Sequence, residues 1–294
     1  MIIIYYLTYL VLWTAAWLPL RVLYLFSDFT YLILYYFIGY RRKVVRQNIA
    51  NSFPQMSENE RKKIEKRFYR HFCDIFAETI HLMHISEKEM MSRMKFTNIE
   101  LFKQYSEQGR NAIWMLGHYG NWEYMVCSSL YINNRDITLA GVYRKQKNKF
   151  INSFFLKLRT KFNTTEIEKN QLFREVYKYK KAGKHISFAM MADQTPSKRN
   201  LHYWSNFLNQ DTPVLVGGER IARKLDFVLI YVDIKKIKRG YYEATLKLID
   251  DHVGESAEYE DTEKYIRMME DTILHDPAYW LWTHKRWKHK RELS

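Results

Sequence analysis

The chain of 294 residues carries 47 lysines and arginines against 32 aspartates and glutamates, a net charge of +15, with 47% hydrophobic and 16% aromatic residues. That composition excludes a disordered, collagen-like or linker-dominated chain, and two cysteines, Cys73 and Cys127, can build neither a disulfide framework nor a cysteine zinc site, so a reducing compartment is expected. The positive excess points to an acidic partner: nucleic acid, an anionic membrane surface, or an acidic protein or substrate.

The first element narrows that choice. Ile2 to Leu20 is 19 residues without a charge, close to the roughly 20 that a helix needs to cross about 30 Å of hydrocarbon. Nothing basic precedes it and no small-residue cleavage site precedes Arg21, so a retained membrane helix is expected, not a signal peptide. A second apolar stretch, Val22 to Tyr40, holds Asp28 and is crowded with Tyr and Phe, which suits an interfacial helix. Arg41, Arg42, Lys43 and Arg46 follow, and by the positive-inside rule they keep the remainder in the cytoplasm. One boundary is expected, near residue 40, between a membrane anchor (1–40) and a single domain (41–294).

Beyond it, Ser57-x-x-Glu60 is a capping-box signature, and Ile64, Phe68, Phe72, Ile75, Phe76, Ile80 and Met83 recur at helical spacing. Short apolar runs then alternate with helical patterns. Strands are expected over 112–116, 136–142, 185–191, 226–234 and 241–249, and helices near 121–132, 147–161, 170–181, 213–225 and 259–274. The alternation predicts an α/β domain with a mostly parallel sheet flanked by helices.

The most informative stretch is Gly117-His118-Tyr119-Gly120-Asn121-Trp122-Glu123, directly after the strand AIWML. In an open α/β sheet, ligands bind beyond the carboxyl ends of strands. His118 and Glu123 are five apart, about 140° around a continuous helix, and could not pair there. If the chain turns at Gly120 with Asn121 as N-cap, the Glu123 carboxylate can swing back onto the imidazole. Such a dyad takes a proton from a hydroxyl, with the imidazole as base and the carboxylate fixing its tautomer. The alternative is that His118 and Trp122 fill a strand–helix junction, with Glu123 a favourable first-turn charge. Asp193 and Gln194 follow another strand and so face the same crevice, or else form an N-cap and turn.

H-x4-[D/E] beyond a strand, behind an N-terminal membrane segment, resembles the glycerolipid-type acyltransferases. The longer string HYGNWE is similar to the late acyltransferases of lipid A biosynthesis, the HtrB/MsbB type. The likeness continues in RRKVVRQNIANSFPQMSENERKKI (41–64), DQT (193–195), NFLNQDTPVLVGGERIARKL (206–225) and PAYWLWTHKRWK (277–288). It implies a membrane-bound enzyme that moves a fatty acyl chain from a thioester to a lipid hydroxyl, with His118 as general base, Glu123 as its partner, and no cofactor or metal. It further implies that Asn121, Arg144, Arg159, Asp193 and Gln194 face substrate. The local sequence departs from the family's arginine-proline pattern, having Lys145 after Arg144. Relatives more often carry a Phe-Gly pair where Asn206-Phe207-Leu208 stands, at what the resemblance implies is the wall of the acyl pocket. The implied partners are acyl carrier protein as donor, with a coenzyme A thioester as the alternative, a lipid A precursor and the bacterial inner membrane, on its cytoplasmic side, and not nucleic acid.

Other features read conservatively. His71, His81 and His84 lack carboxylates at matching spacing and read as a solvated or interfacial helix face. The clusters Lys235-Lys236-Lys238-Arg239 and Lys285-Arg286-Lys288-Lys290-Arg291 read as solvated faces, although Trp280, Trp282 and Trp287 beside the second suit an anionic lipid surface. G-x-S-x-G, the P-loop and G-x-G-x-x-G are all absent, which removes the usual anchors of a serine hydrolase, a Walker-type ATPase and a dinucleotide enzyme. Two competing readings stay open: acylation of a different lipid hydroxyl, and a non-catalytic, membrane-tethered protein that binds an acidic partner.

Overall fold

A computed structural model describes residues 2–132 and 136–291. Two apolar helices come first, α1 (Ile2–Ala15) and α2 (Leu20–Leu32), the second continuing as π-helix over Ile33–Ile38. The uncharged run 2–20 is therefore not one span. Its 14-residue helix is about 21 Å long, and it stops short of Pro19, which has no N–H to donate and disfavours helix in the residue before it. The helix that meets the length and composition of a membrane span is instead Leu20–Ile38, 19 residues.

That helix also leans on the rest of the protein. α2 buries Leu20, Leu23, Ser27 and Tyr31 on one side, at i, i+3, i+7 and i+11, and exposes Leu25, Phe26, Phe29 and Leu32 on the other. Tyr31 and Tyr35 belong to the main core, so residues before 40 pack continuously with those after it. After α3 (Arg42–Ser52), α4 (Glu58–His81) opens with the expected capping box: Ser57 Oγ accepts from the Glu60 N–H, and the Glu60 carboxylate accepts from the Ser57 N–H at 2.7 Å.

The chain then builds α5 (Glu87–Arg93), β1 (Met94–Thr97), α6 (Glu100–Glu107) and β2 (Ala112–Leu116), a 3₁₀ helix over Trp122–Tyr131, β3 (Ile137–Tyr143), α7 (Lys149–Arg159), β4 (Thr165–Glu168), α8 (Leu172–Lys181) and β5 (His185–Met191). A hairpin, β6 (Tyr203–Phe207) and β7 (Gln210–Val214), precedes α9 (Gly217–Leu225), β8 (Val228–Lys238), β9 (Tyr241–Asp250) and α10 (Glu260–His275). Seven strands form one sheet in the order β1-β9-β8-β2-β5-β3-β4, parallel throughout except for the antiparallel β8–β9 pair. The domain is thus α/β with a mostly parallel sheet, as its alternating pattern predicts.

β2 is central, and all five of its residues are buried, which is why AIWML reads as an unbroken apolar run. Its register pairs Leu116 with Met191 of β5, so the segments beginning at Gly117 and Ala192 leave the sheet side by side. Four-residue β1 and β4 are too short to carry a period of their own, and β6–β7 is a separate antiparallel sheet whose turn uses Leu208 and Asn209 at positive φ.

Candidate active site

Gly117 and Gly120 shape the loop that leaves β2. A Cβ on Gly117 would lie 2.4 Å from Met269 Cε, so a side chain there would force the Met269 side chain of α10 to move. Gly120 has φ +60°, and a Cβ on it would lie 2.8 Å from Ile234 Cγ2 of β8. The turn is held from outside by the stretch after α10: the Gly120 N–H donates to Tyr279 O at 3.0 Å and the Leu281 N–H to His118 O at 3.0 Å.

His118 projects from this turn, but the carboxylate it meets is that of Asp193. Its Nδ1 lies 2.7 Å from Asp193 Oδ1, and its main-chain N–H donates to Oδ2 at 2.9 Å. Trp280 Nε1 donates to the same Oδ2 at 2.8 Å. An ionised carboxylate only accepts, so the imidazole proton sits on Nδ1 and Nε2 carries the lone pair. Burial would push the Asp193 carboxyl up, yet His118 and Trp280 outweigh it and hold the group at about 2. The Gln194 amide nitrogen lies 3.2 Å from His118 Nε2, and the Trp122 ring meets the imidazole edge-on, centroids 5.1 Å apart.

Glu123, expected on the imidazole, instead forms a two-pronged ion pair with Arg159 at the end of α7. Arg159 Nε donates to Oε2 at 2.9 Å and Nη2 to Oε1 at 2.6 Å. The guanidinium fork matches a carboxylate on both oxygens, a stronger pairing than one imidazole could supply. Asn121 is the N-cap that the turn requires: its Oδ1 accepts from the Glu123 N–H at 3.1 Å. Its Nδ2 donates to Glu78 at 2.6 Å and the residue is fully buried, so both ends of the amide are used inside the protein and neither is open to solvent.

The Glu123–Arg159 pair sits in the lining of two adjoining cavities. The inner one, about 80 Å³, is walled mainly by apolar side chains including Trp122, Met125, Val126, Leu139 and Met191, and by Glu166 of β4. The outer one, about 110 Å³, is lined by Tyr143, Arg144, Gln146 and Asn152 with Phe155 of α7. The Arg144 guanidinium has no hydrogen-bond or ion-pair partner among the described residues. Glu166 escaped the sequence reading. It pairs in register with Gly141 of β3, and a Cβ there would lie within 2.3 Å of Glu166 Oε1, so the glycine lets that carboxyl lie across the strand into the cavity. Burial and the nearby Glu123 push the Glu166 carboxyl up to about 7 against the pull of Arg159.

Several residues are placed otherwise than their composition suggests. Trp280 and Trp282 are buried core residues packed on each other at 4.8 Å, not interfacial aromatics. Arg286, counted with the second basic cluster, is fully buried, its Nη1 donating to Pro213 O at 2.8 Å. Lys236 turns inward to Asp74 at 3.7 Å, while Arg239 pairs with the same carboxylate at 2.6 Å and stays exposed, as expected for its cluster. His71 and His81 are buried, the latter 3.1 Å from Glu89. Phe207 and Leu208 pack away from the inner cavity, Phe207 against Trp280. The tryptophans and Arg286 are amphipathic side chains whose apolar parts fill gaps between elements that no local pattern brings together.

The sequence model of one family, described as bacterial lipid A biosynthesis acyltransferase, matches residues 1–289. Comparison with curated proteins gave no match.

Proposed function

Since the chain belongs to the bacterial lipid A biosynthesis acyltransferases, enzymes that join an acyl donor to a lipid acceptor, we propose that it moves a fatty acyl group from an acyl carrier protein thioester to a hydroxyl of a lipid A precursor, with His118 as general base. The observation that carries this reading is the Asp193-fixed tautomer, which turns the Nε2 lone pair away from the carboxylate, toward the Gln194 amide and next to Trp122 of the apolar inner cavity, where an acceptor hydroxyl can replace that amide contact. The acceptor hydroxyl gives its proton to Nε2 as its oxygen attacks the thioester carbonyl. The tetrahedral adduct then collapses, the C–S bond breaks, and the imidazolium returns the proton to the leaving sulfur.

The apolar inner cavity suits the part of the acyl chain next to the thioester, and the outer one, with Arg144 unpaired, suits an anionic phosphate of donor or acceptor. Arg159, between them, is the cation available to the developing oxyanion, and Glu123 holds it there. Glu123 thus serves the site through Arg159. The exposed faces of α1 and α2 supply the membrane contact. Tyr24, Ser27 and Asp28 bind the soluble domain on one side of α2 while Phe26 and Phe29 point outward, an arrangement that favours helices lying in the cytoplasmic leaflet of the inner membrane over a helix crossing it.

The test is mass analysis of product lipid after purified, detergent-solubilised protein is given acyl carrier protein thioester and lipid A precursor. Wild type is expected to add one acyl chain, and His118→Ala to lose roughly 10²- to 10⁴-fold in rate. A folded His118→Ala protein as active as wild type would remove His118 as the base.

A further inference from the structure

Behind the Gly120–Asn121 turn lies a buried polar cluster that the chemistry above does not use. Glu78 of α4 is fully buried and accepts three hydrogen bonds, from Asn121 Nδ2 at 2.6 Å, Tyr24 Oη at 2.8 Å and Tyr242 Oη at 2.9 Å. Seven residues earlier on the same face of α4, His71 Nε2 lies 3.1 Å from the Gly120 carbonyl and Nδ1 3.1 Å from Lys236 Nζ. A carbonyl only accepts, so the His71 proton is on Nε2 and Nδ1 accepts from the lysine. Two α4 side chains therefore grip consecutive residues of the turn, one by its carbonyl and one by its side-chain amide.

We propose that Glu78 is a positioning residue: it fixes which way the Asn121 amide points, and so sets the first turn of the 3₁₀ helix that carries Glu123, while Tyr24 ties the same carboxylate to α2. An asparagine amide can turn either end inward. A carboxylate accepts and cannot donate, so Glu78 selects the orientation with Nδ2 inward, which leaves Oδ1 to cap the Glu123 N–H. A glutamate with no solvent contact is costly: burial pushes its carboxyl up, with Asp74 adding to the effect, and the hydrogen bonds it accepts with Lys236 nearby offset that cost only in part. The groups facing it are Tyr24 from α2, Asp74 from its own helix, Asn121 and Tyr124 from the turn and 3₁₀ helix, Lys236 from β8 and Tyr242 from β9. The acyl-transfer role of Glu123 and Arg159 is the reading on which this assignment rests.

A donor–acceptor swap tests it. Glu78→Gln keeps one oxygen for Asn121 Nδ2, because the Tyr24 hydroxyl can rotate to accept from the new amide, and kcat should stay within about threefold of wild type. Asn121→Asp keeps the cap on the Glu123 N–H but sets carboxylate against carboxylate, and at the alkaline end of a pH 6–9 series kcat should fall roughly ten- to a hundredfold with KM unchanged. Combining the two places an amide donor opposite the new carboxylate and should restore kcat to within about threefold. Should Asn121→Asp fail to accumulate, the combined variant decides: accumulation with near wild-type kcat supports the assignment, and failure to accumulate or a low kcat overturns it. Asn121→Asp with wild-type kcat throughout, or a defect that Glu78→Gln does not relieve, also overturns it. His118→Ala in the same assay reports separately on the transferase reading, since its retained activity would sink that reading whichever way the Glu78 variants behave.

Discussion

Asp193 gathers three N–H donors on two oxygens, and that count makes it hard to replace. Asparagine offers one acceptor oxygen and presents an N–H₂ on the other side, so either the His118 Nδ1 proton or the loop N–H loses its partner. Asp193→Asn should keep the fold at a cost of about 1–3 kcal/mol and lower kcat by roughly 10²- to 10⁴-fold, read by calorimetry and turnover together. Glu166 behaves oppositely with pH. Its carboxyl is pushed up to about 7 in the folded chain, so folding binds a proton. The resulting stability is complete below the ordinary glutamate range and is lost as pH rises through about 7. Unfolding free energy should therefore decline between about pH 4.5 and 7, by on the order of 3 kcal/mol at most, and Glu166→Gln should flatten that slope in denaturant titrations.

At the scale of elements, the strand–turn–helix unit depends on a backbone that only glycine adopts readily. Gly120→Ala must hold a Cβ at φ +60° and 2.8 Å from Ile234, which should cost at least about 1–2 kcal/mol and pull His118 and Glu123 out of register. The outward face of α2 makes a second prediction. Phe26 and Phe29 are 59% and 63% exposed, so replacing both with Asp should leave the melting temperature nearly unchanged. If this face enters the bilayer, each loss removes about 1.5–3 kcal/mol of apolar burial. Membrane partitioning should then fall by a hundredfold or more, measured by flotation with vesicles, and unchanged flotation would remove α2 from the membrane contact.

For the whole molecule, the charge of +15 is useful only where it is exposed. Lys285 and Lys288 are exposed while Arg286 between them is buried, with burial pulling its guanidinium down to about 10. Reversing both lysines should raise KM for an acidic acyl carrier protein donor and leave kcat in place, the deficit shrinking as salt rises because the Debye length falls below about 10 Å above 0.1 M. Arg286→Glu should instead prevent the folded protein from accumulating, because a reversed charge would stand unpaired in the core. A donor KM indifferent to the lysines and to ionic strength would place the donor on another face.

Periodicity and local chemistry were enough to determine what neighbouring residues decide among themselves: the buried strand of AIWML, the capping box at Ser57 and Glu60, and the turn that Gly120 and Asn121 make after β2. They also placed Asp193 at the same sheet edge as His118, because parallel strands end together. Partner choice was another matter. The imidazole took the carboxylate 75 residues away, and Glu123, five residues off, took a guanidinium 36 residues away. Both outcomes rest on the register of β2 with β5 and on where α7 ends, which no spacing along the chain encodes. In the same way, Trp282 and Arg286 look interfacial by composition and become core by packing. The reason is physical: hydrogen-bond geometry acts over about 3 Å, and only the packed sheet and helices decide which side chains come that close.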